Sequence, residues 1–375
     1  MLKMILPILL LLGLNAYIAL RFFRLTPGPF LLRLLPAALV ALATFCFILS
    51  FPLRGSLAPQ FERPLYSIGT TWFFASIYFF MFLAAIDIVY ALLHLRGSSD
   101  SLPRILRLAL VILLPLNLLA YGYFHYRDKQ RRELTYDFSQ NAPQQTSMTL
   151  VVLSDLHLGY TIGAAELNEW IALVNREKPD AVLLVGDIID CDVRPLLHDS
   201  LAPLFSKIQS RYGTYAVPGN HEYIAGIDRS CRFFRQAGIH LLRDSAALLG
   251  NCLRIVGRDD RSNPRRMPLA RLMQESPGQE LPTIVLDHQP YHLEEAARSH
   301  ADLQLSGHTH DGQVWPASWF VRRLYEQPHG PLQKEGTHYY VTSGIGLWGG
   351  KFRIGTDSEY LVVRLTLPVP AGPKA

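Results

Sequence analysis

The chain has 375 residues, 49% of them hydrophobic and only 18% charged, against about 25% charged in an average soluble domain, which excludes one small, purely soluble domain. Residues 1–126 carry nine Lys/Arg against Glu62, Asp87 and Asp100, a balance of +6, while the remainder stands at −1. The basic total therefore belongs to the apolar N-terminal third, which argues against a nucleic-acid partner for the rest, and four cysteines without a CxxC pair suggest neither a disulfide framework nor a zinc–thiolate site.

Four apolar stretches come first, roughly Leu2–Leu20, Leu34–Phe51, Ile68–Leu93 and Ile105–Phe124. Each approaches or exceeds the ~20 residues that span a bilayer. Polar breaks such as Arg24–Arg33 and Arg96–Arg104 separate them. Lys3 before an apolar core is also found in cleaved signal peptides. Three further stretches follow, however, and no small-residue cleavage site is evident, so a retained span is expected. None of the stretches has the polar face of a helix in a soluble bundle. Asp87 is costly in lipid and is expected to have a structural partner or to lie near a span boundary. Beyond it only Asn15 and Asn117 stand out as polar groups, too few to favour a transporter. The expected organisation is a four-helix transmembrane anchor over 1–126 and a juxtamembrane linker over 127–147. The expected location is multi-pass, in a bacterial inner membrane. Flanking charges leave the side open: Arg21, Arg24, Arg33, Arg96 and Arg104 favour an outer catalytic domain, whereas Arg54, Arg63, Arg127, Lys129, Arg131 and Arg132 favour an inner one.

From about Ser147 the pattern changes to apolar, β-branched runs alternating with helical spacing. Strands are predicted at Met148–Leu153, Ala181–Val185, Gly213–Val217, Cys252–Val256, Thr283–Leu286, Leu303–Leu305, Tyr339–Thr342 and Tyr360–Leu365. Helices are predicted at Ala164–Glu177, Leu201–Gln209 and Ser230–Ala237. Five of the strands run straight into loops carrying Asp, Asn or His. In α/β folds, ligands bind beyond the carboxyl ends of strands, so one sheet edge would gather Asp155, His157, Asp187, Asn220, His288, His308 and His310. This set offers imidazole nitrogen and carboxylate or amide oxygen without thiolate, which suits Mn, Fe or Zn. Two such ions together clamp phosphoryl oxygens and activate a water.

In order, the chain reads Asp-Leu-His, Gly-Asp-Ile-Ile-Asp, Gly-Asn-His-Glu, a lone His after a strand, and Gly-His-Thr-His. This series resembles the motif set of the calcineurin-like metallophosphoesterase superfamily over about residues 148–366. The longer run Gly-His-Thr-His-Asp-Gly-Gln-Val-Trp-Pro, with Thr342-Ser343-Gly344-Ile345-Gly346, is similar to its membrane-associated bacterial branch. That branch more often has Gly where Asp311 stands. The resemblance implies a four-layer αββα sandwich over 148–366, after the all-α transmembrane bundle and before a disordered tail at 367–375. It implies two divalent metal ions: Asp155, His157 and His310 on the first, Asn220, His288 and His308 on the second, and Asp187 bridging. It also implies His221 as general acid or stabiliser of the leaving oxygen, with Asp190 as its orienting partner. Cys191 stands where many phosphoprotein phosphatases carry Arg, which shifts the expectation from phosphoproteins to phosphodiesters or pyrophosphates.

The expected activity is hydrolysis of a phosphoester or pyrophosphate, with a lipid-linked or envelope substrate and membrane lipids as the partners. Some relatives that this branch resembles cleave the pyrophosphate of UDP-diacylglucosamine, which would need a cytoplasmic domain. The rival readings are an extracytoplasmic phosphodiesterase or phosphatase and, less favoured, a metal-binding membrane sensor without turnover. Glu222 is expected to cap or pair locally. His198, His240, His292, His300, His329 and His338 are expected to be surface or packing residues. Arg258, Arg261, Arg265 and Arg266 are expected in a solvated loop, with contacts to phosphate or lipid headgroups as the alternative. Trp315, Trp319 and Trp348 suit either packing or a lipid-facing groove.

Overall fold

The computed structural model describes residues 2–96, 102–139 and 142–369. The chain divides into two compact units, Met1–His125 with Gly349–Phe352, and Tyr126–Trp348 with Arg353–Ala375.

In the first unit, α1 (Leu2–Leu25), α2 (Phe30–Ser50), α3 (Pro59–Leu95) and α4 (Arg104–Arg127) are long and apolar enough to cross a membrane by length and composition. Gly69 on α3 allows a close helix approach: a Cβ there would run into the backbone of Phe47 on α2. Trp72 Nε1 donates to Asn15 Oδ1 at 2.8 Å and Thr44 Oγ1 at 3.2 Å, tying three helices together. Asp87 accepts from the Tyr17 hydroxyl at 2.6 Å and pairs with Arg21, so this acid within an apolar helix has the expected structural partner.

The second unit contains two six-stranded mixed sheets. The first holds β1 (Lys129–Asp137), β2 (Gln145–Leu153), β3 (Ala181–Val185), β4 (Thr214–Val217), β5 (His240–Leu241) and β12 (Ser358–Pro368), in the order β1-β12-β2-β3-β4-β5. The second holds β6 (Ser245–Leu249), β7 (Leu253–Gly257), β8 (Thr283–Leu286), β9 (Leu303–Ser306), β10 (Gly330–Lys334) and β11 (Thr337–Val341), in the order β10-β11-β9-β8-β7-β6. The helices are α5 (Ala164–Arg176), α6 (Arg194–His198), α7 (Asn220–Ile224), α8 (Ile227–Gln236), α9 (Leu269–Glu275), α10 (Glu294–Arg298) and α11 (Ala317–Leu324).

Period-two alternation makes the layers. Val151, Leu153, Val182 and Leu184 face outwards onto Leu167, Trp170 and Val174 of α5 and Phe233 and Phe234 of α8. Their neighbours Leu150, Val152 and Leu183 turn inwards and pack with Ile255, Ile284, Leu286 and Leu303 of the second sheet. Val256, Val285 and Tyr339 cover the other outer face with Leu269, Leu272 and Ala296. The result is the αββα sandwich.

Several boundaries differ from the sequence expectation. Within the expected linker at 127–147, residues 129–137 form β1, paired in parallel with β12 from Lys129↔Ser358 to Asp137↔Thr366. Its alternating side chains are only half-buried, and Lys, Arg and Glu dominate, as suits an edge strand. Leu201–Gln209 is a 3₁₀ turn over Ala202–Lys207 following the short α6, with Pro203 entering the first turn. Of the expected tail, 367–368 belong to β12, and residues 370–375 lie outside the described residues.

Candidate metal centre

Every candidate ligand follows a strand whose carboxyl end lies at one edge. Parallel neighbours β2, β3 and β4 deliver Asp155 and His157, Asp187, and Asn220. Parallel neighbours β8 and β9 deliver His288, and His308 with His310. The two sheets are stitched at this edge: His288 Nδ1 donates to Val185 O at 2.8 Å, and His308 N donates to both Asp155 carboxylate oxygens at 3.1 Å. The first contact fixes the His288 tautomer so that Nε2 is left for a ligand role. Loops are joined too, Asp155 N to Gly186 O and His157 N to Asp187 O, both at 3.0 Å.

Asp155, His157 and His310 form one donor group, and Asp187, His288 and His308 another. In the first, His157 Nε2 lies 3.1 Å from His310 Nε2, and Asp155 Oδ1 lies 3.9 Å and 3.5 Å from those two nitrogens. In the second, His288 Nε2 lies 3.1 Å from Asp187 Oδ2. The same Asp187 oxygen stands 3.8 Å from His157 Nε2, so this carboxylate faces both groups. The residues flanking Asn220 touch the second group: Gly219 backs directly onto Asp187 and His288, and His221 N donates to Asp187 Oδ1 at 2.9 Å. Asn220 Oδ1 is buried without a hydrogen-bond partner.

These residues fit divalent cations. Bonds of about 2.0–2.2 Å to nitrogen and oxygen put the ligands of one ion roughly 3–4 Å apart, which is the spacing seen. The orphaned Asn220 oxygen is a hard acceptor awaiting such a charge. Burial, reinforced by the His288 charge, pushes His308 down to about 4, and burial with the His157 charge holds His310 well below the usual imidazole range. Neutral imidazoles are the form that ligates metal.

His221 also lies in this cluster, grouped with His157 and Asp187. Burial opposes its protonation, but the Asp187 and Asp190 carboxylates outweigh burial and raise it to about 9. Its Nδ1 donates to the backbone oxygen of Asp190 at 2.7 Å, closer than the Asp190 carboxylate at 3.4 Å. That carboxylate is equally close to His157 Nδ1, at 3.4 Å. Asp190 therefore orients two imidazoles, using its carbonyl for one and its carboxylate for both.

Several residues shape the site in ways the sequence did not assign. Glu222 is fully buried: Oε2 accepts from Gly219 N at 2.6 Å and Asp187 N at 3.0 Å, and Oε1 from Ile189 N at 2.9 Å. It clamps the loops that carry Asp187 and Asn220. Arg353, equally buried, donates to the carbonyls of His310 at 2.7 Å, Ser343 at 2.5 Å and Gly346 at 2.9 Å, organising the Thr342–Gly346 turn. Asp311 has left-handed φ/ψ of 48°/28°, a conformation that glycine adopts without strain. Its carboxylate takes a two-pronged contact from Arg322, at 3.0 Å and 2.7 Å. The expected solvated loop of arginines is divided. Arg258 is buried on Asp287 at 2.9 Å and Arg266 reaches the same carboxylate at 3.3 Å, whereas Arg261 and Arg265 are exposed.

A two-sheet α/β domain with clustered His and Asp donors at one strand edge defines a class of metal-binding hydrolase folds. A family model described as calcineurin-like phosphoesterase matches residues 148–312. An uncharacterized metallophosphoesterase of Campylobacter jejuni is 31% identical over 341 residues, covering 86% of this chain and 88% of that protein. One from Helicobacter pylori J99 is 33% identical over 223 residues, 58% of this chain and 60% of that protein, so the chain spans about three-fifths of that relative's length. A Bos taurus transmembrane protein with metallophosphoesterase domain is 30% identical over 236 residues, 58% and 52% of the two chains. The chain belongs to the calcineurin-like phosphoesterase family, and its four long apolar helices mark it as a membrane protein.

Proposed function

We propose that the protein is a membrane-anchored, two-metal hydrolase of phosphoester or pyrophosphate bonds, acting on a lipid-linked or envelope substrate at the surface of an inner membrane that it crosses four times. The observation that carries this reading is the Asp187 carboxylate facing two separate donor groups. Asp155, His157 and His310 would hold one divalent ion, Asn220, His288 and His308 the other, and Asp187 both. Bound there, the ions supply Lewis-acid charge for phosphoryl oxygens and activate a water.

The chain's own residues do the rest. Asp190 O holds His221 Nδ1, leaving Nε2 as the atom that exchanges a proton with the leaving oxygen. The Glu222 clamp fixes the backbone of Asp187 and Gly219. Four helices long and apolar enough to cross a membrane precede the domain, which favours a substrate presented from lipid.

The test uses the full chain in detergent, stripped of metal and reloaded with Mn. Substrates are bis-p-nitrophenyl phosphate, p-nitrophenyl phosphate and UDP-diacylglucosamine, with Asp187→Asn and His221→Ala beside the wild type. Metal-dependent turnover should vanish in Asp187→Asn and fall at least about 100-fold in His221→Ala. Stoichiometric metal binding with no turnover of any substrate, in detergent or lipid, would favour the sensor reading instead.

A further inference from the structure

Outward from His308 runs a short ladder of side chains that the proposed reaction leaves unused. The Tyr325 ring packs edge-on to the His308 ring, with centroids 6.2 Å apart. Tyr291 lies next, 5.0 Å from Tyr325, and the two hydroxyls are hydrogen-bonded at 3.0 Å. Over the Tyr291 ring sits the Arg261 guanidinium, 4.1 Å from the ring centroid. Tyr291 and Tyr325 are half-buried and Arg261 is exposed. Arg261 makes no salt bridge among the described residues.

Two features separate this arginine from an ordinary surface charge. Stacking on a ring face uses the guanidinium's π surface and leaves its in-plane N–H groups, the fork that matches phosphate oxygens, free for a ligand. The loop beneath it is also held fixed. Asp260 accepts twice from the Gln289 amide, at 2.8 Å and 3.0 Å, and from Ser262 N at 2.8 Å, while Asn263 donates to Asp259 at 2.7 Å. Gln289 directly follows His288, so Arg261 is braced against the same loop that carries a candidate ligand. With Asp260 engaged by Gln289, its carboxylate does not neutralise the adjacent guanidinium by direct pairing.

We propose that Arg261, carried by Tyr291 and Tyr325, forms a second anion subsite beside the metal centre, which holds a phosphate of the substrate other than the one attacked. The subsite selects diphosphates over simple phosphodiesters. This inference rests on the hydrolase reading above and narrows its substrate class. Tyr325 fixes the distance from His308, Tyr291 supplies the platform, and Arg261 supplies charge-assisted hydrogen bonds to the second phosphate.

The experiment uses the full chain in detergent with Mn, as wild type, Arg261→Ala, Arg261→Lys, Tyr291→Ala and, as a neighbouring control, Arg265→Ala. Binding of methylenediphosphonate and of inorganic phosphate is measured by calorimetry, and kcat/KM is measured for UDP-glucose and bis-p-nitrophenyl phosphate. The diphosphonate-to-phosphate affinity ratio should fall at least tenfold in Arg261→Ala and in Tyr291→Ala. It should recover in part in Arg261→Lys and hold in Arg265→Ala. The diphosphate-to-diester ratio of kcat/KM should follow the same order. Equal losses for both ligands, no loss, or a loss matched by Arg265→Ala would overturn the subsite. If no substrate is turned over by the wild type, the hydrolase reading falls, while the calorimetric ratio still decides whether Arg261 binds the second phosphate.

Discussion

Replacing Glu222 by Gln separates charge from geometry at the heart of the site. The carboxylate serves three backbone donors, two at Oε2 and one at Oε1. A glutamine has one acceptor oxygen, so in either orientation its NH₂ group faces at least one buried N–H. Burial pushes Glu222 up to about 7, with the Asp187 charge adding to it. In either ionisation state the substitution replaces one of the two acceptor oxygens by an amide that cannot accept. A buried N–H left without an acceptor costs about 1–3 kcal/mol, so roughly 2 kcal/mol should go, about 4–8 °C in Tm for a domain of this size. Differential scanning fluorimetry of the full chain in detergent measures this. Since the released N–H groups belong to Asp187, Gly219 and Ile189, kcat/KM should fall at least about tenfold as well, the equivalent of ~1.4 kcal/mol. Wild-type Tm and activity in Glu222→Gln would refute the clamp.

Metal binding should be visible without turnover: at 100 times its Kd, an ion that binds only the folded state adds about 2.7 kcal/mol. Mn returned to the stripped protein should therefore raise Tm by roughly 5–10 °C, and Asp187→Asn should lose most of that rise. Asp311→Gly sheds a left-handed strain of about 1 kcal/mol but also a partly exposed ion pair of similar worth. Its Tm should thus stay within about 2 °C of wild type, while Asp311→Ala, which keeps the strain and loses the pair, should melt clearly lower. Equal melting of the two variants would show that the backbone conformation carries no cost.

Much of the site was legible because its strands are apolar on both faces and end in chemistry. Ala181–Val185 is buried at every position and leads directly to Asp187, so hydrophobicity and motif coincide. What escaped the sequence lacked one of these signals. β1 is a charged edge strand whose partner lies more than 200 residues away, and local pattern carries no trace of that pairing. Arg258 read as a solvated loop residue because its counter-ion, Asp287, comes from another strand end. Glu222 was seen as a local cap, and it does cap α7 through Gly219 N. Its bonds to Asp187 N and Ile189 N arise only when β3 and β4 are neighbours.

Backbone conformation adds a signal that residue identity lacks. Asp155, His157, Asp187, His308 and His310 all have φ between 46° and 72°. For non-glycine residues this left-handed region costs about 1–2 kcal/mol each, and such outliers cluster where function holds them. The geometric reason lies in the strands. Extended chain sends successive side chains to opposite faces of a sheet, never off its end. A left-handed residue just past the last pair re-aims the chain after β2, β3 and β9, so that their side chains converge beyond the edge. The strain is offset by the crosslinks already described, Asp155 N to Gly186 O, His157 N to Asp187 O and His308 N to Asp155, each of which ties one strained residue to another candidate ligand or to its neighbour. Asn220 and His288 escape the strain by other supports: Asn220 opens α7 directly after the clamped Gly219, and His288 leans on Val185 O. The ligand set and the network holding it in shape are thus largely the same residues. Removing one donor should therefore loosen its neighbours as well as the ion it would hold.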